Sequence, residues 1–472
     1  MGIPISAPIS GSALASRPLL RCSKMQSTLF GAPPTTNGFR DPSFAKNKNL
    51  PLHRWIPWVA GFSADFVQDC LANYLPNATK ESWVLDPFSG VGTTLVEAYL
   101  SGINVTGFEI NPYAALATKT KLKAMQISVQ KLADEIASFE RFMERAESGV
   151  LKGEPRSQPP KGFTGRTQLF NPKVERKVLY ALDFVEGIQD SGLKDIFRLA
   201  LGSVMISFSN YSYEPSLTRR IAVNKPNIED ANVGFSVSAK LHLMLEDIGW
   251  IQDHMKRFSY RPRMKVLSKS IFSALDALSN SAFVDLVVTS PPYLNNYHYP
   301  RNTRPQMHWL GFAEGRGYNG AKETSSFGKF WQTVRESEPI NLTFDMPELR
   351  SIVTRISNRN TDKAAYGGPG WANYVATYFN DTHAFCQVLK QLLRPNAVAV
   401  IVLGNSIIQG VEVKTDYFFG KIGELSGLKF EDTHMLRKKR TGSSIIQSSV
   451  RVDQAAKKAV LYESAIVLRK TT

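Results

Sequence analysis

Hydrophobic positions along this chain follow two rhythms that take turns. Residues 63–75 carry Phe66, Val67, Cys70, Leu71 and Tyr74 at helical spacing behind Ser63, a natural N-cap. A short apolar run, Trp83–Leu85, predicts a strand; a helix opens at Thr93 and stops near Gly102; a second strand covers Asn104–Phe108. The rhythm then breaks. Residues 113–260 are helical in pattern at Leu122–Met143, Val174–Ile188 and Leu193–Ser207, with the linker-like GEPRSQPPKGFTGR between the first two. Strands resume at Met264–Val266 and Val284–Thr289. A Gly- and Ser-rich stretch, 313–370, predicts loops. Trp371–Leu393 predicts a helix with Tyr374, Val375, Tyr378, Phe379, Phe385, Val388, Leu389 and Leu392 on its apolar face, ended by LRPN. Ala397–Leu403 reads as a buried strand, Tyr417–Leu425 as a helix, and Phe430–Leu436 with Ala465–Leu468 as a final strand pair.

Strands alternating with helices predict an α/β architecture with a parallel sheet. The expected organisation is an irregular leader over 1–50, a first sheet segment over 51–112, a helical insertion over 113–260, and a second sheet segment over 261–472 that carries the loop-rich insert. No repeat with a period of 20–50 residues interrupts this division. The first 24 residues contain no acid and are rich in Ser, Ala and Pro. They fit a transit peptide, a myristoylation pattern at Gly2 and Ser6, a disordered leader, or a start at Met25.

Composition narrows the classes. At 472 residues the chain is long enough for two or three units, and 43% hydrophobic with 21% charged residues is a globular balance. No apolar run approaches the ~20 residues that cross a bilayer. The net charge of +16 suits a polyanionic partner such as nucleic acid. The three cysteines, Cys22, Cys70 and Cys386, form no CxxC, so neither a disulfide framework nor a zinc site is indicated, and a cytoplasmic, reducing compartment is expected. The seven histidines lack HExxH or other paired-ligand spacing, so no metal is expected.

Two motifs carry chemistry. VLDPFSGVGTT, residues 84–94, is strand, glycine turn and helix start. Gly90 and Gly92 allow close backbone approach, and a helix N-terminus behind them favours an anion. Glu109, at the end of the next strand, is placed to accept from ribose hydroxyls. A P-loop would need a lysine that this turn lacks, and a dinucleotide fingerprint would need glycine where Leu95 stands. S-adenosylmethionine remains, its charged tail a carboxylate. The second motif is VDLVVTSPPY, residues 284–293, a buried strand stopped by Ser290 and two prolines. The stiff loop and the flat ring of Tyr293 suit a planar polar guest, although a plain strand-ending turn would read the same way.

Together, DPFSGVGTT and TSPPY resemble the DNA amino-methyltransferases that modify exocyclic nitrogens, whose motifs read DPFxGxGTT and [DNS]PP[YFW]. EINPYA, 109–114, resembles their ribose-binding segment and HRWIPWVAGFS their N-terminal segment. The resemblance implies a Rossmann-like methyltransferase fold, a doubly wound seven-stranded mostly parallel sheet with a largely helical insertion. It implies S-adenosyl-L-methionine held by Asp86, Pro87, Phe88, Gly90, Gly92, Thr93, Thr94, Glu109, Ile110 and Asn111. It implies catalysis by Ser290, Pro291, Pro292 and Tyr293: acceptors at Ser290 and the Pro291 carbonyl for the amino hydrogens, and a stacking ring. An acid following the third strand would hold the cofactor's adenine, and Asp276 is the acid available there. Asn295, Asn296 and Tyr297 line the base pocket or are plain polar loop.

The expected partner is double-stranded DNA with its target base flipped out. The setting is a prokaryotic, nucleoid-associated enzyme, beside a cognate restriction endonuclease or as an orphan. SPPY leans toward cytosine N4, while DPPY and NPPY lean toward adenine N6. Cytosine carbon-5 chemistry needs a Pro-Cys dipeptide, and none of the three cysteines follows a proline. Alternatives are adenine-N6 methylation, base N-methylation of RNA, and a silent nucleic-acid binder on the same fold. Arg219, Arg220, Lys225, Lys256, Arg257, Arg261 and Arg263 are candidate phosphate contacts or a solvated face. Arg301 and Arg304, just past the catalytic loop, are placed to touch the flipped strand. RKKR, 437–440, is a phosphate clamp or an exposed strand end.

Overall fold

The computed structural model describes residues 38–58, 61–161, 167–214, 216–278, 282–294, 299–313, 325–359, 368, 370–438 and 460–471. Most of the leader, together with Asn295, Asn296, Tyr297, Lys439 and Arg440, lies outside them. Three parallel strands, β1 (Trp83–Asp86), β2 (Asn104–Phe108) and the later β5 (Met264–Leu267), form one half of a sheet. β6 (Val284–Thr289) and β7 (Leu393–Gly404) continue it in parallel on the other side of β1. A short hairpin, β8 (Ser406–Ile408) with β9 (Val411–Val413), follows β7, and β10 (Lys429–Lys438) and β11 (Tyr462–Arg469) close that edge, with β11 antiparallel to both of its neighbours. Among the described residues the order is β10-β11-β7-β6-β1-β2-β5, the mostly parallel seven-stranded sheet of a Rossmann-like methyltransferase fold. The chain leaves β1 for β2 on one side and returns to β6 on the other. This reversal opens a crevice at the carboxyl ends of β1 and β6.

The strands read as unbroken apolar runs because both sheet faces are covered. Val84, Leu286, Val288, Val398 and Val400 point into one core, while Leu85, Val287, Ala399 and Ile401 point into the other. On the first face lie α1 (Ala64–Tyr74), α2 (Thr93–Leu100), α3 (Pro112–Lys123) and the helices α4 (Val129–Glu147), α5 (Pro172–Gly187), α6 (Ser191–Val204) and α7 (Val233–Met255). A small hairpin, β3 (Tyr211–Tyr213) with β4 (Leu217–Arg219), rides on this group. Ser63 caps α1 by accepting from the Phe66 N–H at 3.2 Å. The helix expected over Leu122–Met143 is two helices: α3 begins at Pro112 behind an Asn111 cap, and Ser128 starts α4 after a turn of 3-10 helix.

The second face is covered by α8 (Ala274–Ala277), α10 (Trp331–Val334), α11 (Pro347–Arg359), α12 (Gly370–Leu392) and α13 (Thr415–Leu425). The stretch 313–370 therefore carries a 13-residue helix, α11, anchored by buried Leu349 and Ile356. LRPN does not end in a loop: Leu393 already pairs with Val284, and β7 absorbs Pro395 and the left-handed Asn396 through a register shift. Helix α9 (Tyr299–Trp309) follows β6 and its proline loop. No helix among the described residues is long and apolar enough to cross a membrane.

The segment HRW is bolted to the helical layer. The buried Asp247 carboxylate on α7 accepts from the Leu52 N–H at 2.8 Å, from Trp55 Nε1 at 2.8 Å and from the Arg54 guanidinium at 2.6 Å. Next to it, Glu97 of α2 binds His53 at 2.7 Å and Gln68 at 2.6 Å. Burial alone would raise the Glu97 carboxyl, but the His53 hydrogen bond and charge, with Gln68, hold it below the ordinary range. Asp247→Ala would strand a half-buried guanidinium and two buried donors. Urea unfolding should show a loss of about 3 kcal/mol, and a change within 0.5 kcal/mol, the range of about a neutral surface substitution, would show that the segment is not fastened there.

Candidate active site

The two motif loops meet because their strands are neighbours. Val84 and Leu85 of β1 pair with Leu286 and Val287 of β6, so both strands end at one edge of the sheet. Thr289 Oγ1 donates to Asp86 Oδ1 at 2.6 Å, and Thr94 Oγ1 at the start of α2 donates to the Val288 carbonyl at 3.0 Å. These bonds tie the end of each motif strand to the other motif. A third tie is the Asn111 side-chain amide, which donates to Thr303 Oγ1 of α9 at 2.7 Å.

A cavity of about 390 Å³ opens above this junction. Of the expected cofactor contacts, Pro87, Phe88, Gly90, Glu109, Ile110 and Asn111 line it, as do Ser290, Pro291, Pro292 and Tyr293. Asp86, Gly92, Thr93 and Thr94 are not on its wall; Asp86, Thr93 and Thr94 are buried behind it, and Gly92 is the left-handed cap residue of α2. Asp276 sits exposed on α8, away from the cavity, so it is not placed to hold a guest there. The lining after β5 is Lys269, Ser270 and Ile271 instead. The rule that ligands sit at the carboxyl ends of parallel strands could have found this segment. Trp58, from the HRWIPWVAGFS segment, also reaches the cavity, as do Phe327, Arg437 and Glu463, which no sequence signal linked to it.

The glycine turn needs its glycines. Gly90 and Gly92 have φ of +50° and +87°, and a Cβ on Gly92 would lie 2.8 Å from Thr118 Oγ1. Helix α3 grips the turn from below: Thr118 Oγ1 donates to the Gly90 carbonyl at 2.9 Å, and Lys121 Nζ to the Val91 carbonyl at 2.8 Å. Lys121 is wholly buried, and burial pushes its ammonium down to about 7. The turn's Ser89 N–H donates to the Phe108 carbonyl and its Gly92 N–H to the Ser89 carbonyl. The Gly90 N–H meets Glu109 Oε2 at 2.8 Å, and Glu109 Oε1 accepts from the Asn111 N–H at 2.7 Å. Two backbone donors thus set the rotamer of a carboxylate on the wall, while Phe88, Phe108, Ile110 and Ile271 supply apolar surface. An acceptor carboxylate between flat apolar walls fits a nucleoside.

The SPPY loop is rich in acceptors and poor in backbone donors. Pro291 and Pro292 have no N–H, and each confines the residue before it to extended backbone. What remains is the Ser290 and Pro291 carbonyls and two hydroxyls, with Ser290 Oγ and Tyr293 OH 3.4 Å apart. Such a loop suits a guest that donates, such as an amino group. The candidate phosphate contacts are mostly engaged elsewhere: Arg257 donates to the Leu100 carbonyl at 2.6 Å, Arg263 pairs with Glu81 at 2.8 Å, Lys256 pairs with Asp253 at 2.7 Å, and Lys225 pairs with Glu214. Cys70 and Cys386 are both buried, and no metal-ligand cluster occurs among the described residues.

The chain aligns with type II methyltransferases of curated function. It is 24% identical to M.BsoBI of Geobacillus stearothermophilus over 440 residues, covering 85% of this chain and 83% of that protein. It is 22% identical to M.AvaI of Anabaena variabilis over 422 residues (85% and 84%) and 20% identical to M.MvaI of Kocuria varians over 343 residues (71% and 73%). These relatives over most of the chain are consistent with the DNA amino-methyltransferase family that its motifs resemble. No family model matches. The solved rRNA methyltransferase aviRa of Streptomyces viridochromogenes aligns with 87% of this chain and 86% of its own at 9% identity, but a TM-score of 0.28 is too slight to bear on fold or function.

Burial raises the Asp86 carboxyl to about 6, although bonds from Thr289 and the Phe88 N–H favour its charged form. A raised folded value means its contribution is complete below the unfolded value, ~3.9, and is lost as pH rises through 6. Asp86→Asn keeps the acceptor oxygen and removes that loss. Thermal melts should therefore show its advantage over the parent growing from about pH 4 to pH 6 and levelling above. A difference independent of pH would show that Asp86 carries no raised titration.

Proposed function

We propose that the chain is an S-adenosylmethionine-dependent DNA methyltransferase acting on an exocyclic amino nitrogen of a flipped base, cytosine N4 in first place. The observation that carries this reading is the shared cavity: the glycine turn with Glu109, and the acceptor-rich SPPY loop, line one space at one sheet edge. Type II methyltransferase relatives over most of the chain support action on DNA. When bound, S-adenosylmethionine supplies an electrophilic methyl group on its sulfonium.

The protein's own part is orientation. Glu109 accepts from the ribose hydroxyls, and Phe88, Ile110 and Ile271 flank the adenine. Ser290 Oγ and the Pro291 carbonyl accept the two hydrogens of the target amine. An amine conjugated with its ring is a poor nucleophile, because its lone pair is delocalised. Two acceptors set by stiff backbone favour the pyramidal amine that transfer requires, with little rearrangement at the moment of reaction. Tyr293 stacks on the extruded base, offsetting part of the roughly few kcal/mol spent on unstacking. A serine hydroxyl is shorter in reach than an aspartate carboxylate and accepts without a formal charge, which suits a different base.

The duplex needs a surface outside the sheet. The helical segment 113–260 is one candidate for target recognition. Helix α11 is another: Arg350, Arg355 and Arg359, with Ser351, Thr354 and Asn358, line an open groove of about 580 Å³ suited to phosphates.

Purified protein, S-adenosylmethionine and genomic duplex DNA should yield N4-methylcytosine on nucleoside analysis, and methylation-aware sequencing should give its site. Ser290→Ala should lower kcat by about 100- to 1000-fold with cofactor affinity unchanged. N6-methyladenine as the product would overturn the base assignment. No methyl transfer to any DNA, with transfer to RNA, would overturn the substrate class.

A further inference from the structure

In the sequence, Arg437 looks like one end of a basic run at a strand end. In the fold it stands on β10 directly opposite Glu463 of β11. Its Nε donates to Glu463 Oε2, and both side chains line the cavity beside Ser290, Pro291 and Tyr293. Glu463 is only 6% exposed. Burial pulls the guanidinium down, but the Glu463 bond and charge, with Asp41 and Tyr293 nearby, hold it above its usual value, so it stays charged. Holding an ion pair at a pocket wall costs desolvation, which a salt bridge made for stability alone seldom recovers.

The sheet order says which end of the cavity this pair occupies. β10 and β11 lie on the β7 side of β6, while the cofactor-side residues come from β1, β2 and β5. A Cβ built on Gly404 of β7 would lie 3.8 Å from the Tyr293 ring, so Tyr293 also leans to the β7 side. Two cationic side chains line the cavity among the described residues. Lys269 follows β5 at the cofactor end, and Arg437 stands at the Tyr293 end.

We propose that Arg437, fixed through its Nε by Glu463, reads the Watson–Crick edge of the target base and makes the pocket selective for cytosine. This rests on the DNA methyltransferase reading above. Once the SPPY loop has taken the amino group, the edge of cytosine still presents two adjacent acceptors, N3 and O2. An arginine fork offers parallel donors to such a pair. Adenine presents N1 and then a C–H at that place, so one desolvated donor would be left unmatched. Arg437 would thus complete the pocket: acceptors from the proline loop, donors from the sheet edge.

A double-mutant cycle on protein and base tests this. The substrates are the duplex bearing the mapped site and the same duplex with 3-deazacytosine, which lacks the N3 acceptor, at the target. The enzymes are the parent, Arg437→Met and Arg437→Lys. The parent should lose about 100-fold in kcat/KM on the analogue, and Arg437→Met about 100-fold on cytosine with little further loss on the analogue. Arg437→Lys, which keeps the charge but not the fork, should fall between them, and calorimetry should show cofactor affinity unchanged in every variant that melts like the parent. The altered amine reactivity of the analogue is common to all the enzymes and cancels in the cycle. Penalties that multiply, or an Arg437→Lys enzyme that matches the parent on both duplexes, would overturn the assignment and leave a phosphate contact or a structural ion pair. A parent that makes N6-methyladenine or no methylated DNA overturns the underlying reading together with this one. A parent that makes N4-methylcytosine while the penalties multiply overturns this inference alone.

Discussion

The candidate active site hangs on one piece of sheet pairing, the parallel contact between β1 and β6. These strands are about two hundred residues apart in the chain, yet their pairing brings two loops to one edge. The Thr289–Asp86 and Thr94–Val288 hydrogen bonds fasten the pair at that end. A slip of one residue would turn Leu286 and Val288 from one core into the other, so the register is set by burial on both faces. Everything at the cavity inherits its precision from that constraint.

The loops themselves are stiffened by different means. The SPPY loop is rigid by covalent structure, since two prolines remove torsional freedom and backbone donors together. The glycine turn is intrinsically permissive and is held from outside. Thr118 and the buried Lys121 take its carbonyls, and Glu109 takes a donor. A buried lysine is costly, and here its ammonium has a backbone oxygen to meet. The glycine turn with Glu109 and the proline loop thus share one cavity, the arrangement on which the proposed amine methylation rests.

Charge is used sparingly near the chemistry. Of the chain's many basic residues, several with candidate roles in DNA binding are paired with carbonyls or carboxylates of this chain. Those with access to cavity or groove are fewer: Lys269 and Arg437 at the cavity, and the arginines of α11. Net charge can attract a polyanion over a distance, whereas position decides which arginine reads a base and which one supports a helix.

The sequence by itself determined what depends on neighbours along the chain. Strand interiors at Val284–Thr289 and Asn104–Phe108 stand where the apolar runs placed them, and so does the Ser63 cap. The glycine turn, Glu109 and the proline loop were legible because their backbone demands are local. Only the tertiary structure decided what depends on strand order. It put Ser270 rather than Asp276 at the cavity, turned LRPN into the start of β7, and raised α11 out of a stretch that looked like loop, where two buried anchors give too faint a periodicity to see. It moved Asp86 from the expected ligand shell into the buried seam beneath it, and it carried Arg437 and Glu463, 26 residues apart, to face each other across two strands. The physical reason is common to all of these: periodicity and turn chemistry act over a few residues, whereas a pocket is assembled by pairing and burial between segments that no local pattern connects.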